Sequence, residues 1–381
     1  MLQFGIDRIG EFLELLQGRV ALLTAPTGRT RDNRSTIDVL KEYCDLRLLR
    51  APEHGVRGDQ PAGTMIEDVT DLESGLPACS LYSKDSHRLS AGILDRFDTL
   101  VYDIADVGCR YYTFLTTLRY CIEDCAAAGK RLVVLDRPNP LGDRVEGGIV
   151  RPEVISFVGG YEIPVCYGLT CGELAEMMNR ELHCGCDLHI IPCAGLTRSM
   201  TFRDWGHCWV MPSMGIPRFE TALLYPGTCL IEGTNCSEGR GTGDPFGIIG
   251  APFIQAEVFC KAFNALGCPG LEATPVYFTP TASKHQGVLC GGIQLHILDE
   301  TVLEPVAMGV RLLDLLRKMY PKNFSFLPPV REDGKIFLSL LAGHRDFEKP
   351  DWDADALLAR YAGESARFRV RKAPYERYPK E

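Results

Sequence analysis

The 381-residue sequence has no hydrophobic run approaching the roughly 20 residues that a membrane-spanning helix needs. Its opening, MLQFGIDRIGEFLELLQGRV, interrupts the apolar positions with Asp7, Arg8, Glu11 and Glu14. It therefore lacks the continuous apolar core of a secretory signal and reads as an amphipathic helix. Excess positive charge is missing too, the formal net charge being -9. A nucleic-acid or anionic-membrane partner would need a basic face to displace counterions, so neither is expected. No Gly-rich dinucleotide fingerprint follows the first apolar run and no Gly-Lys-Thr/Ser phosphate loop occurs, which removes the main support for nucleotide binding. No cofactor is expected. Nor is any tract biased enough to predict disorder: 45% hydrophobic and 24% charged residues are ordinary for a folded chain.

Cysteine, in contrast, is plentiful. The sixteen cysteines are scattered, and several, such as Cys121 and Cys125, fall inside predicted helices or strands. With no export signal in view, reduced thiols in a cytoplasmic protein are the simplest reading. His183, Cys184, Cys186, His189 and Cys193 are close enough to suggest zinc. However, Cys184-Gly185-Cys186 lacks the usual two-residue gap, and a strand over 187–192 would send alternate side chains to opposite faces. No metal is expected there, although a metal-dependent hydrolase stays open as a rival reading.

The length exceeds that of a usual single core, so two domains are expected. Over the first two thirds, short apolar runs at 20–24, 46–49, 99–104, 131–135 and 188–191 alternate with amphipathic helical stretches. This is the pattern of a mostly parallel α/β sheet covered on both faces. Ser35 with Asp38 and Thr170 with Glu173 have capping-box spacing. The helix from Thr113 carries Phe114, Leu118, Cys121, Ile122 and Cys125 on one face and stops at Gly129. From about Phe202 a long irregular segment begins, and beyond it lie a strand at 291–297, a helix at 305–320 and a last helix from about Asp353. These make a smaller C-terminal α+β domain, and the chain divides into 1–228 and 229–381.

Ligands of open parallel sheets bind beyond the carboxyl ends of the strands. The loops there are 25–29 (APTGR), 52–59 (PEHGVRGD), 103–112 (DIADVGCRYY) and 136–140 (DRPNP). Turn formation accounts for their glycines and prolines. It accounts less well for Glu53, His54, Arg57, Asp103, Asp106, Arg110, Asp136 and Arg137 all falling at one end of the sheet, so a functional cleft is expected there. A second polar, Gly-rich constellation lies at 232–242, in a loop long enough to be functional. Carboxyl pairs in a cleft with aromatics and no metal motif suit glycosidic hydrolysis, in which one protonates the leaving oxygen and the other activates water or attacks the sugar. Glu53 suits the acid if desolvated, and two readings of it stay open: that acid, or an ion-pair partner of Arg57. Asp106, Glu232 and Glu238 are candidates for the second carboxylate, which spacing does not rank. His54, Arg57, Arg110, Tyr112, Asp136, Arg137, Asn139, Asn235 and Arg240 are candidates for substrate binding. Tyr111, Tyr112, Trp205 and Trp209 are equally candidates for stacking on a sugar and for core.

Taken together, the runs PEHGVRGD, VYDIADVGCRYYTF, VVLDRPNPLGDRVEG, LYPGTCLIEGTNCSEGRGT and YFTPTASKHQG resemble the DUF1343 family of exo-β-N-acetylmuramidases, with matches from about Gly18 to Ala373-Pro374-Tyr375. The resemblance implies a Rossmann-like catalytic domain, a smaller C-terminal domain, and an active site in the cleft between them. It also implies hydrolytic release of N-acetylmuramic acid from the non-reducing end of peptidoglycan fragments, with Glu53 as the catalytic residue. Three motifs depart from the family pattern: Ala105 for glutamine, Met214-Gly215 for Pro-Asn, and Gly243-Asp244 for Thr-Arg. Losing an arginine and gaining an aspartate bears on the lactyl carboxylate of muramic acid, whose natural partner is a guanidinium fork. Either Arg240, Arg218 or Arg137 supplies that cation and the chain remains an ordinary muramidase, or the amino-sugar specificity has shifted; a muropeptide-binding protein without catalysis is the further alternative.

Overall fold

The apolar runs become the strands of a twisted sheet. The computed structural model describes residues 1–52, 55–57, 69–80, 87–329 and 334–381. Among them the strands are β1 (Arg19–Thr24), β2 (Asp45–Ala51), β3 (Val69–Thr70), β4 (Pro77–Ser80), β5 (Thr99–Asp103), β6 (Arg131–Leu135), β7 (Val145–Glu146), β8 (Cys166–Tyr167), β9 (Asp187–Ile191), β10 (Ile248–Ala251), β11 (Leu271–Phe278) and β12 (Cys290–Ile297). The helices are α1 (Thr36–Tyr43), α2 (Ala91–Leu94), α3 (Phe114–Ala127), α4 (Cys171–Glu181), α5 (Phe219–Thr228), α6 (Ala256–Asn264), α7 (Pro305–Met319), α8 (Phe337–Ala342) and α9 (Ala354–Lys372).

The large sheet has the order β3-β4-β2-β1-β5-β6-β9. All its pairs are parallel except the edge strand β3 on β4. Its central strands separate two cores because successive side chains point to opposite faces. Ala21, Leu23, Leu100, Tyr102, Leu132 and Val134 pack with the buried faces of α3 and α4. Val20, Leu22, Val101, Val133 and Leu135 pack instead with Leu2, Phe4, Ile6, Ile37 and Leu40. Both faces are covered, which is why these strands read as continuous apolar runs and not as alternation. A second sheet, β10-β12-β11, is antiparallel and belongs to the C-terminal part.

Three local expectations need amending. The N-terminal stretch is not an α-helix but two 3₁₀ turns, Gly5–Glu11 and Leu13–Leu15. The chain here docks by its backbone: Gly5 N donates to Asp136 O at 2.9 Å, and a Cβ on Gly5 would sit 2.5 Å from Asp136 N and from Ile191 O. Ser35 caps α1 by accepting from Ile37 N, whereas Thr170 and Glu173 form the full reciprocal box on α4. The stretch after Phe202 contains α5, concealed in the sequence by Pro226 and Gly227 in its last turn. That glycine is needed for the crossing of α5 and α7. A Cβ on Gly227 would lie 1.9 Å from Pro305 O, and one on Gly309 would lie 2.4 Å from Gly227 O.

The topology fixes where a ligand goes. From β1 the chain moves to β2 and β4 on one side, then crosses to β5 on the other, so the loops after β1 and β5 diverge. A crevice opens between them at this switch point.

Candidate active site at the switch point

The crevice is held open by a buried polar frame. Thr24 Oγ1 at the end of β1 donates to Asp103 O at the end of β5, 2.9 Å away, and Thr27 Oγ1 accepts from Ala105 N at 3.1 Å. Gly28 passes so close that a Cβ would lie 2.0 Å from Thr24 Oγ1. Asp103, fully buried, accepts from Thr36 Oγ1 and is gripped by Arg137, Nε to Oδ1 at 2.5 Å and Nη2 to Oδ2 at 2.9 Å. The guanidinium of Arg137 also lies 5.2 Å from the centre of the Phe4 ring. Asp103 thus orients the arginine that follows the next strand.

A small pocket with a cavity volume of about 40 Å³ opens beside this frame. Thr27, Ala105, Asp106 and Arg137 form its polar side, and Phe4, Phe202, Trp205 and Trp209 its aromatic side. The aromatics brace one another edge to face: Phe202 lies 5.4 Å from Trp205 and 5.0 Å from Trp209, and Phe4 lies 6.1 Å from Trp205. Trp209 Nε1 donates to Ile216 O at 3.2 Å, fixing its ring. His207 completes the rim, its ring nitrogens on Cys208 O and Thr30 O. Phe4 and His207 were not foreseen; only the docking of the N-terminal turns, invisible to periodicity, brings Phe4 here.

Asp106 is the carboxyl of this pocket. It is 7% exposed, accepts from Gly108 N at 2.8 Å and from the Tyr167 hydroxyl, and burial pushes its pKa up to about 6. The turn that carries it needs Gly108, at φ +76°, because a Cβ there would sit 2.3 Å from Asn139 Oδ1.

The second constellation is an ion network. Arg240 donates to Glu232 Oε1 from Nε at 3.0 Å and from Nη2 at 2.6 Å. Glu238, 2% exposed, lies between Arg240 at 3.4 Å and Lys284 at 2.9 Å. Burial raises the pKa of Glu232 while Arg240 opposes the shift. Lys284 also donates to Ile231 O and Thr234 O, and His285 reaches Asn235 O at 2.7 Å. Lys284 and His285 sit in the run TASKHQG, so a sequence signal for them existed. The network meets the first pocket through the segment 212–216: Pro212 lines that pocket, and a Cβ on Gly215 would lie 3.1 Å from Arg240 Nη1. Aromatic contacts connect the two as well, with Arg240 over Phe246, Phe246 against Tyr225, and Tyr225 against Tyr112.

Other candidates occupy framework positions. Arg110, wholly buried, gives Nη1 to Gly148 O and Ile163 O and Nη2 to Leu341 O, each at 2.7 Å. Asp136 accepts from Arg137 N, Gly172 N, Thr170 Oγ1 and the Tyr378 hydroxyl, capping α4; burial raises its pKa to about 6. Asn139 bonds Leu169 O and Leu141 N, and Asn235 bonds Asn323 O and Ser325 N. Tyr111 and Tyr112 are buried against Tyr225. Each of these side chains is turned to the protein and not to the pocket, because loop ends with many polar groups must satisfy them internally when buried. Arg57 pairs with Asp71. Glu53 and His54 lie outside the described residues.

The cysteine- and histidine-rich stretch is dispersed. His189 pairs with Asp187 at 2.9 Å, Cys193 is buried on Asp136 O, and Cys186 is held through its backbone by Asn179. Among the described residues no three His, Cys, Asp or Glu side chains are arranged to hold a metal. All sixteen cysteines are free, and Cys208 is exposed. Among the described residues no helix is long and apolar enough to cross a membrane.

A parallel sheet with a carboxyl-bearing, aromatic-walled pocket at its switch point, joined to a smaller antiparallel sheet, defines the chain as an α/β enzyme. It belongs to the exo-β-N-acetylmuramidase NamZ family, whose N-terminal model matches residues 20–220 and whose C-terminal model matches residues 223–378. A curated relative, the peptidoglycan β-N-acetylmuramidase NamZ of Bacillus subtilis (strain 168), is 42% identical over 330 residues, covering 85% of this chain and 80% of its own. The crystal structure of a DUF1343 family protein from Bacteroides fragilis NCTC 9343 superposes with a TM-score of 0.89 at 32% identity, covering 99% of both chains. A second DUF1343 structure from that organism gives 0.77 at 28% identity over the full length of both. The resemblance drawn from the loop motifs is thereby established.

Proposed function

We propose that the chain is an exo-acting glycoside hydrolase that releases N-acetylmuramic acid from the non-reducing ends of peptidoglycan fragments, with Glu53 as the acid and Asp106 as the second carboxylate. The observation that carries the choice of Asp106 is its position: it lines the switch-point pocket, whereas Glu238 is enclosed by Arg240 and Lys284 and Glu232 is bound twice by Arg240. A carboxylate whose pKa burial has raised to about 6 is a stronger base than an exposed aspartate, which suits the activation of water or attack at the anomeric carbon. The aromatic side of the pocket offers an apolar surface to a pyranose or an acetamido methyl. The division at 228/229 belongs to the same reading and falls where α5 ends. Sixteen free thiols fit a reducing compartment and therefore the turnover of fragments inside the cell.

The test is incubation of the protein with a disaccharide bearing non-reducing N-acetylmuramic acid. Release of that sugar with a matching gain in reducing ends is expected, and it should persist in excess chelator. Binding without turnover would instead identify a muropeptide-binding protein, and loss of turnover on chelation would restore the metal-dependent reading.

A further inference from the structure

Resting on that reading, we infer that Arg137 is the residue that selects an acidic sugar, its Nη1 edge receiving the carboxylate of the substrate's lactyl ether in the switch-point pocket. An arginine carries five N–H groups in a rigid fork. Three are spent inside the protein: Nε and one N–H of Nη2 on Asp103, and the other N–H of Nη2 on Arg29 O at 2.9 Å. The remaining two, on Nη1, donate to no described residue. The side chain is only 4% exposed, yet it lines the pocket that Asp106 and the aromatics share.

This is a built donor. Asp103 holds one edge of the guanidinium, the Phe4 ring lies against it, and Thr36 holds Asp103 in turn, so little side-chain entropy remains to be lost when a ligand binds. The charged Nη1 group facing the pocket favours an anionic carboxylate oxygen over a neutral hydroxyl or ester, each of its two diverging N–H groups offering one charge-assisted hydrogen bond. The other two arginines considered for this role are placed differently. Arg218 is half exposed and paired with Asp244 at 2.6 Å, and Arg240 is engaged by Glu232 and Glu238 outside the lining of this pocket. Asp244, a departure from the family pattern, is thus matched by its own cation and by Gln294 at 3.0 Å, and it does not cancel the selecting arginine.

The experiment compares an aryl N-acetylmuraminide with the methyl ester of its lactyl group, which removes the charge and keeps the shape. The wild type should prefer the acid by about 100-fold in kcat/KM, as expected for a site built around one charge-assisted contact. Arg137→Gln should lower that ratio to within a few-fold of one. Because that change strands the buried carboxylate of Asp103, the pair Asp103→Asn with Arg137→Gln is measured alongside, removing both charges together. Loss of the acid preference in the folded variants supports the assignment. A preference that survives, with both substrates slowed equally, overturns it and makes Arg137 a strut. If the wild type hydrolyses neither compound, the proposed function fails. The arginine is then judged by calorimetric binding of N-acetylmuramic acid and its methyl ester, where equal affinity for the two overturns the inference.

Discussion

Arg57 grips the carboxylate of Asp71 with two hydrogen bonds, Nε to Oδ1 at 2.9 Å and Nη2 to Oδ2 at 2.8 Å. Asp71 also accepts from Ser74 N and Oγ, and these donors hold its carboxyl well below the usual range. One edge of the Arg57 fork, Nε and Nη2, is therefore taken by Asp71. Glu53→Gln, which keeps the shape and removes the ionisable proton, should lower kcat on a muramic-acid disaccharide by at least about 100-fold. Its urea midpoint should stay close to wild type. A variant that kept full rate would refute the assignment.

Asp106 predicts the pH dependence. As the second carboxylate it acts when ionised, so kcat/KM should rise with pH through about 6, and the limb should vanish in Asp106→Asn together with most of the rate. The same shift has a consequence for folding. The folded state keeps a proton that the unfolded chain releases near the ordinary value of 3.8, so stability falls as pH rises from there to about 6 and is level above. Asp106→Asn should flatten that slope, of the order of 3 kcal/mol, in urea titrations at pH 4 and pH 7. An acidic limb near pH 6 that persists in the variant would remove Asp106 from the chemistry.

The parallel sheet was readable because strands buried on both faces must be continuously apolar, and their boundaries fell within a residue or two of β1, β5, β6 and β9. The site was half readable for a related reason. The strand-end rule located the loops, but not the direction of the side chains within them. Arg110, Asp136 and Asn139 look like ligand donors in sequence, yet each lies where the loop turns inward and spends its polar atoms on backbone groups and, for Asp136, on the Thr170 and Tyr378 hydroxyls as well. Phe4, by contrast, joins the pocket from a segment whose position depends on Gly5 touching the backbone of β6 and β9, a contact with no periodic signature. Helix α5 was hidden because proline and glycine are read as breakers, whereas here they serve a helix crossing.

Glu238 should prove to be a stability residue. Replacing it by glutamine would leave Arg240 and Lys284 facing each other across a buried amide. Breaking a fully enclosed ion pair costs about 3–5 kcal/mol, and both cations here reach solvent, so a loss of about 2 kcal/mol is expected. Activity per folded molecule should fall much less than in Asp106→Asn. A stable Glu238→Gln protein that has lost turnover would return Glu238 to the catalytic candidates.

Arg110 offers the sharpest test of the framework, because a single side chain joins four distant parts of the chain. It follows Asp106 by four residues, and its guanidinium reaches the carbonyls of Gly148, of Ile163 before β8, and of Leu341 in α8. None of these oxygens can turn to water, since the arginine is 0% exposed and Gly343, at φ +80°, closes over it: a Cβ there would come within 3.1 Å of Nη2. Burial lowers the pKa of the guanidinium, but no pH used for folding studies approaches it. Arg110→Met fills a similar volume and strands three buried acceptors at about 1–3 kcal/mol each, for a loss of at least about 3 kcal/mol. Arg110→Lys retains the charge but not the fork, and should recover part of that loss without recovering all three contacts. Denaturant unfolding of the two variants separates the possibilities. A shift below about 1 kcal/mol in Arg110→Met would mean that water or a ligand takes over those carbonyls, and the residue would then belong to the site and not to its frame.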